Sequence, residues 1–235
     1  METYANPYSV AAVGASERAL FIRKTYMHVA LAVLGFIAVS AMFWRMPAVM
    51  QLSAGVLGKP LIVLGAFMGV SWLANSLAFS RTSRAMQYFG LALYTVFFAF
   101  MIVPIMYMAH NAPQFAGDNI LMKSAGMTIA LFLGLTAVAV TTKKDFSFLG
   151  SILKIGFFLA IGLIVAGSLF GGFTLGLWFS FGMVALLSGS ILYTTSNILR
   201  SCSTDMYVGA ALALFSSIAT MFWYILQIFM RLSND

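Results

Sequence analysis

Seven apolar stretches fill the chain between Thr25 and Met230, and the short segments between them and the two tails hold almost all of the charge. A helix of about 20 apolar residues crosses a hydrocarbon core of about 30 Å, and within lipid its backbone polar groups must be paired inside the segment. Seven such stretches in 235 residues leave little chain for anything else. The fold class this predicts is an all-α integral membrane protein, a seven-transmembrane-helix bundle set in a lipid bilayer. Only 8% of residues are charged and 62% are hydrophobic, whereas soluble domains carry about 25% charged residues.

The expected spans are residues 25–44, 60–79, 86–108, 121–141, 149–170, 175–198 and 206–230, between a flexible tail at 1–24 and a short tail at 231–235. Arg23 and Lys24 precede the first span, and Lys59 with Pro60 opens the second. Residues 1–22 include Glu2, Pro7, Glu17 and Arg18 and have no apolar core, so the first span is expected to act as its own insertion signal.

Loop charge predicts the orientation. Eight basic residues fall on the side of the N-terminus: Arg18, Arg23, Lys24, Arg81, Arg84, Lys143, Lys144 and Arg200. Four fall on the other side: Arg45, Lys59, Lys123 and Arg231. The positive-inside rule then puts the N-terminus in the cytoplasm and the C-terminus outside. A net charge of +7 spread through loops in this way reads as a topology signal, and no nucleic-acid partner is expected.

Small residues recur at helical spacing at Gly65 and Gly69, Gly156 and Ala160, Gly162 and Ala166, and Gly167 and Gly171. They are expected to let neighbouring helices of the bundle approach closely.

Polar residues in the spans are the candidates for function. Ser190, Thr194 and Asn197 share one face of the sixth span, and Ser217, Thr220, Tyr224 and Gln227 form a stripe on the seventh. Such stripes either bond across helices and to their own backbone or line a narrow aqueous cavity, making Ser190, Thr194, Asn197, Ser217 and Thr220 candidate pore or gate positions. Asn75, one turn beyond Ser71, is expected to need a partner from a neighbouring helix. His28 and His110 are expected on opposite membrane faces, Lys154 reads as an interfacial anchor, and Pro104 interrupts the third span.

Nothing here reads as an enzyme. The spans contain no His-Glu-x-x-His, no Gly-x-Ser-x-Gly, no phosphate-binding glycine loop and no pair of carboxylates. A single cysteine, Cys202, excludes an intramolecular disulfide, and no metal or cofactor site is expected.

Three segments together resemble the Bax inhibitor-1 family: Phe21–Tyr26 at the first span, Phe132–Thr136 continuing through Thr141, Thr142, Lys143, Lys144 and Asp145 to Gly150, and Ile191–Ile198. The resemblance implies a seven-helix fold with a cytoplasmic N-terminus. It also implies either a pH-sensitive calcium leak or a regulator of membrane stress, and in one bacterial branch an inhibitor of a membrane-anchored AAA protease. The run Thr195–Ile198 is similar to that branch, which points to the bacterial cytoplasmic membrane. The family's leak rests on two Asp residues in the last two helices that share a proton, and the matching positions here are Thr194 and Ser217. Neither side chain ionises, so this chain departs from the family's gate and from its charged oxygen ligands for calcium.

Overall fold

Long unbroken helices follow from the sequence because within lipid each apolar run must pair its own backbone groups, which keeps it helical through its interior glycines. The computed structural model describes residues 10, 13–142, 144–170 and 176–233. Among the described residues there is no strand. Eight α-helices are present: α1 (Ala15–Trp44), α2 (Pro47–Leu57), α3 (Pro60–Ala78), α4 (Arg84–Asn111), α5 (Ile120–Thr141), α6 (Leu149–Phe170), α7 (Leu177–Ser201) and α8 (Tyr207–Leu232). All but α2 are long and apolar enough to cross a membrane. Pro47 and Pro60 stand in the first turns of α2 and α3, where a missing N–H costs nothing.

Short connectors force successive spans to alternate in direction. Ring contacts mark the two ends of the bundle. His28, Tyr88 and Tyr207, from α1, α4 and α8, meet at the face where α1 begins, here the near face. Trp44 meets Tyr107 and His110 at the far face, 5.4 and 5.6 Å between ring centres. The two histidines thus lie at opposite ends.

The core is built around α4 and α8. Helix α8 packs against α1, α3, α4, α5 and α7, and its buried residues run from Val208 to Ile228. Phe36, Phe98, Phe215 and Phe222 form the aromatic centre. Helices α3 and α6 lie at the periphery, each with few buried residues. Helix α4 continues through Pro104, which is buried.

Four local expectations change. Helix α1 begins at Ala15, so residues 15–24, read as tail, are helical; the rest of that tail is almost wholly outside the described residues. The 45–59 connector is itself mostly helical, as α2.

Asn75 needs no neighbouring helix, because its Nδ2 donates to the Ser71 carbonyl of its own helix at 2.8 Å. The glycine pair Gly65 and Gly69 packs against nothing, since a Cβ at either position would meet no atom within 4 Å, and the same holds for Gly162. Gly156 does pack, against Leu186, while Gly171 lies outside the described residues.

The closest helix crossings occur elsewhere. A Cβ on Gly90 would stand 2.6 Å from the Ala74 carbonyl oxygen and 2.8 Å from the Ala78 nitrogen, and one on Gly209 would stand 2.9 Å from the Ala78 oxygen.

Candidate functional site

The sixth- and seventh-span stripes fall in α7 and α8, and the structure distributes them over three cavities. On the near face, Thr194 and Asn197 line a cavity of ≈ 450 Å³ with Phe79, Arg81 and Cys202. Between α6 and α7, Ser190 and Thr194 line a second of ≈ 350 Å³ with Lys154 and Tyr193. Towards the far face, Thr220, Tyr224 and Gln227 line a third of ≈ 380 Å³ with Phe67, Trp223 and Arg231. Thr194 is shared by the first two, and Phe157 and Ile161 are shared by the second and third.

Ser217 lines none of these. It is 7% exposed, and its hydroxyl donates to the Ala213 carbonyl one turn earlier at 3.2 Å. Thr220 likewise donates to Ser216 at 2.8 Å. Among the described residues the acidic side chains are Glu17, in the first turn of α1, and Asp118, Asp145 and Asp205 in connectors. No group of three or more His, Cys, Asp or Glu side chains comes together among the described residues to hold a metal ion.

The segments that carried the resemblance meet in space. Tyr26 of α1 packs against Phe132 of α5, 6.4 Å between ring centres. The Thr136 and Thr195 hydroxyls, from α5 and α7, lie beside the Tyr26 phenol without making a hydrogen bond of regular geometry. Thr25, Thr136 and Thr195 all keep buried hydroxyl oxygens that no described group satisfies, an uncommon state for buried polar atoms. Periodicity gives no sign of this junction, because the three threonines lie on three different helices; the signal in the sequence is that all three fall in the segments that carry the family resemblance.

The connector from α5 to α6 is tied to α7. Thr141 closes α5 by donating to Ala137 at 2.7 Å, and Thr142 is its C-cap. Lys143 lies outside the described residues. Asp145 accepts the Ser147 amide at 2.9 Å and stands 3.9 Å from the Arg200 guanidinium. The Ser147 amide first, and Arg200 with it, hold the Asp145 carboxyl below the usual carboxylate range. The Phe146 amide donates to Ser196 at 3.5 Å. Gly150 faces the Tyr193 ring, which a Cβ would meet at 3.0 Å.

A polar hub at the near face was not legible as such. His28, 7% exposed, places Nδ1 2.7 Å from the Lys24 carbonyl and Nε2 3.0 Å from the Tyr88 hydroxyl. A carbonyl only accepts, so Nδ1 carries a proton and donates to Lys24, while Nε2 is bonded to the Tyr88 hydroxyl. Lys24 and Arg84 both stand over the Tyr207 ring, at 5.3 and 4.8 Å. Sequence spacing cannot join residues from three helices.

The architecture and these cavities define a polytopic helical membrane protein whose charged groups are gathered near helix ends. Residues 18–234 match the sequence profile of the family described as "Inhibitor of apoptosis-promoting Bax1". The chain belongs to this Bax inhibitor-1 family.

An uncharacterized protein of Pseudomonas aeruginosa is 35% identical over 135 residues, which cover 57% of this chain and 60% of that protein. The Golgi anti-apoptotic protein of Vaccinia virus is 26% identical over 96% of this chain and 91% of its own length. Protein lifeguard 4 of Mus musculus is 27% identical over 93% of this chain and 87% of its own length.

Proposed function

We propose that this protein is a non-enzymatic regulator in the bacterial cytoplasmic membrane, acting in membrane stress through contact with other membrane proteins, a membrane-anchored AAA protease first among them. The observation that carries the reading is the state of the two gate positions. Thr194 and Ser217 hold hydroxyls where the resemblance implies a proton-sharing carboxylate pair, and the Ser217 hydroxyl is spent on its own helix. Two hydroxyls that do not ionise have no titrating proton to share and no charged oxygens for a hard cation. The vaccinia relative bears an anti-apoptotic name, which describes an effect on a cell and fits a regulator. The bacterial relatives and the basic near face support the cytoplasmic membrane, with the N-terminus inside.

The test is crosslinking and co-purification from native membranes, with the chain at its natural abundance. Enrichment of an AAA protease, and slower turnover of that protease's membrane substrates when the chain is overproduced, is the expected result. Recovery of the chain with no membrane-protein partner would count against the proposal.

A second reading, a calcium or other cation leak with altered gating, draws on the row of cavities that share Thr194, Phe157 and Ile161 between the near and far faces. Calcium uptake into proteoliposomes across about pH 5 to 8 separates the two. Flux absent from the native chain but present and pH-dependent in the Thr194→Asp, Ser217→Asp double variant supports a leak scaffold that has lost its gate. Strong flux through the native chain would reverse the ranking.

A further inference from the structure

Three basic side chains from three separate segments converge on one small cavity at the near face. Arg18 comes from the second turn of α1, Lys144 from the α5–α6 connector and Arg200 from the last turn of α7. The cavity holds ≈ 350 Å³, and its remaining walls are Ser196, Ala139, Val140 and Leu199. Ser196 is 4% exposed and is fixed in the wall through the Phe146 amide. Topology alone needs basic residues in loops, not around a shared cavity with a buried hydroxyl and an apolar side.

We infer that this cavity binds the phosphate of an anionic membrane phospholipid. The chemistry of the lining matches a phosphodiester at one end and a hydrocarbon chain at the other. Arginine offers a planar fork of donors to phosphate oxygens, lysine offers a point charge, and Ser196 adds a hydroxyl. One carboxylate stands nearby, Asp145, 3.9 Å from Arg200. Three cations on one cavity wall are a set suited to a monoanionic headgroup.

The cavity lies where α5 and α7 end and α1 begins, the level at which lipid headgroups sit. Below it, Val140, Leu133 and Ile129 form an exposed apolar stripe down α5, 46%, 59% and 53% exposed, at spacings that keep them on one helix face. An acyl chain would lie along that stripe while its phosphate occupies the basic end. This is the arrangement expected of a basic pocket between transmembrane helices. The site requires only that the chain spans a bilayer, so it goes beyond the proposed function and stands or falls separately from it.

The same phosphate chemistry could come from a lipid or from a soluble phosphate, and the stripe on α5 selects the lipid. The full chain, purified in mild detergent, is titrated with dioleoylphosphatidylglycerol, dioleoylphosphatidylcholine, deacylated glycerophosphoglycerol and inorganic phosphate, with bound lipid read by native mass spectrometry. The Arg18→Gln, Lys144→Gln double variant is compared with Arg23→Gln, Arg81→Gln, which removes the same charge from the same face. All four positions are charged groups on the outside of the bundle, and thermal melting checks that each variant is folded.

Phosphatidylglycerol is expected to bind more tightly than the other three. Removing two lining cations is expected to weaken it about thirtyfold, a factor of about five for each, with the control pair nearly unchanged. Equal loss in both double variants, or no loss in the lining variant, would overturn the site. Inorganic phosphate binding as tightly as the lipid would overturn the lipid as its occupant.

Discussion

Gly90→Ala should be the most damaging methyl group that can be added to this protein. The new Cβ would lie 2.6 Å from the Ala74 carbonyl oxygen and 2.8 Å from the Ala78 nitrogen, both backbone atoms of α3. Backbone cannot rotate out of the way as a side chain can, so α3 and α4 must separate along their crossing. Overpacking of a tight interior costs about 1–3 kcal/mol, and contact with two backbone atoms places this site towards the upper end. A loss of about 2 kcal/mol lowers the folded-to-unfolded ratio about thirtyfold.

Gly156→Ala is the informative comparison. Its Cβ would come still closer, 2.1 Å, but to the terminal methyl of Leu186, which can move by changing rotamer. Gly65→Ala meets nothing within 4 Å, and alanine is the better helix former by up to about 1 kcal/mol. Reversible unfolding in mixed micelles, followed by tryptophan fluorescence, should rank the variants Gly90→Ala least stable, Gly156→Ala intermediate and Gly65→Ala at or above the native chain. Gly90→Ala as stable as Gly65→Ala would refute the close crossing of α3 on α4.

Burial pushes the Cys202 thiol up to about 11 from about 9, with Asp205 adding to it, so its thiolate fraction at neutral pH falls about a hundredfold. Iodoacetamide labelling should be correspondingly slow in the folded protein and rise sharply on unfolding; equal rates would contradict the burial. Asp118 is held below the usual carboxylate range by Lys123 first and Ser233 second. A lowered folded value stabilises the fold fully above about pH 4 and loses that contribution as pH falls through the folded value. Asp118→Asn should therefore flatten the acid limb of melting temperature against pH, and a limb identical to that of the native chain would exclude the pairing. Tyr88→Phe removes the hydroxyl bonded to His28 Nε2 and should cost about 1 kcal/mol; no change in unfolding midpoint would mean the His28 bond contributes nothing.

The spans were legible because lipid imposes a one-dimensional rule: long apolar runs become helices, and charges mark their ends. What could not be read was which faces meet. Gly65 and Gly69 have the small-residue spacing that suggests packing, yet they face outwards, while one of the tight crossings falls at Gly90, which belongs to no such pair. Spacing reports what a helix face can accept and not which helix arrives there. The same limit applies to the site. Ser190, Thr194 and Asn197 share a helix face, but the space beside it is two cavities, one against α6 and one against Phe79 and Arg81 beyond the end of α3. The His28 hub and the cavity of Arg18, Lys144 and Arg200 each draw residues from three distant segments, and only tertiary structure assembles them.

Many polar residues inside the spans bond back to their own helix. Hydroxyls and amides at Asn75, Thr95, Ser124, Thr128, Ser168, Ser188, Ser217 and Thr220 donate to carbonyls of the preceding turn of their own helix. Such a group is satisfied wherever the helix goes, so it places no demand on a neighbour and reports no change of pH. A carboxylate has no proton to donate to a backbone carbonyl and cannot be satisfied in this way. Buried at position 217, where the native serine is 7% exposed, it would have to bind a proton, find a partner across the bundle or draw water in. Any of these couples helix positions to protonation. The self-bonded Ser217 hydroxyl makes none of these demands, so under the proposed function an input to this fold would act at the helix ends, where most of its charged side chains lie.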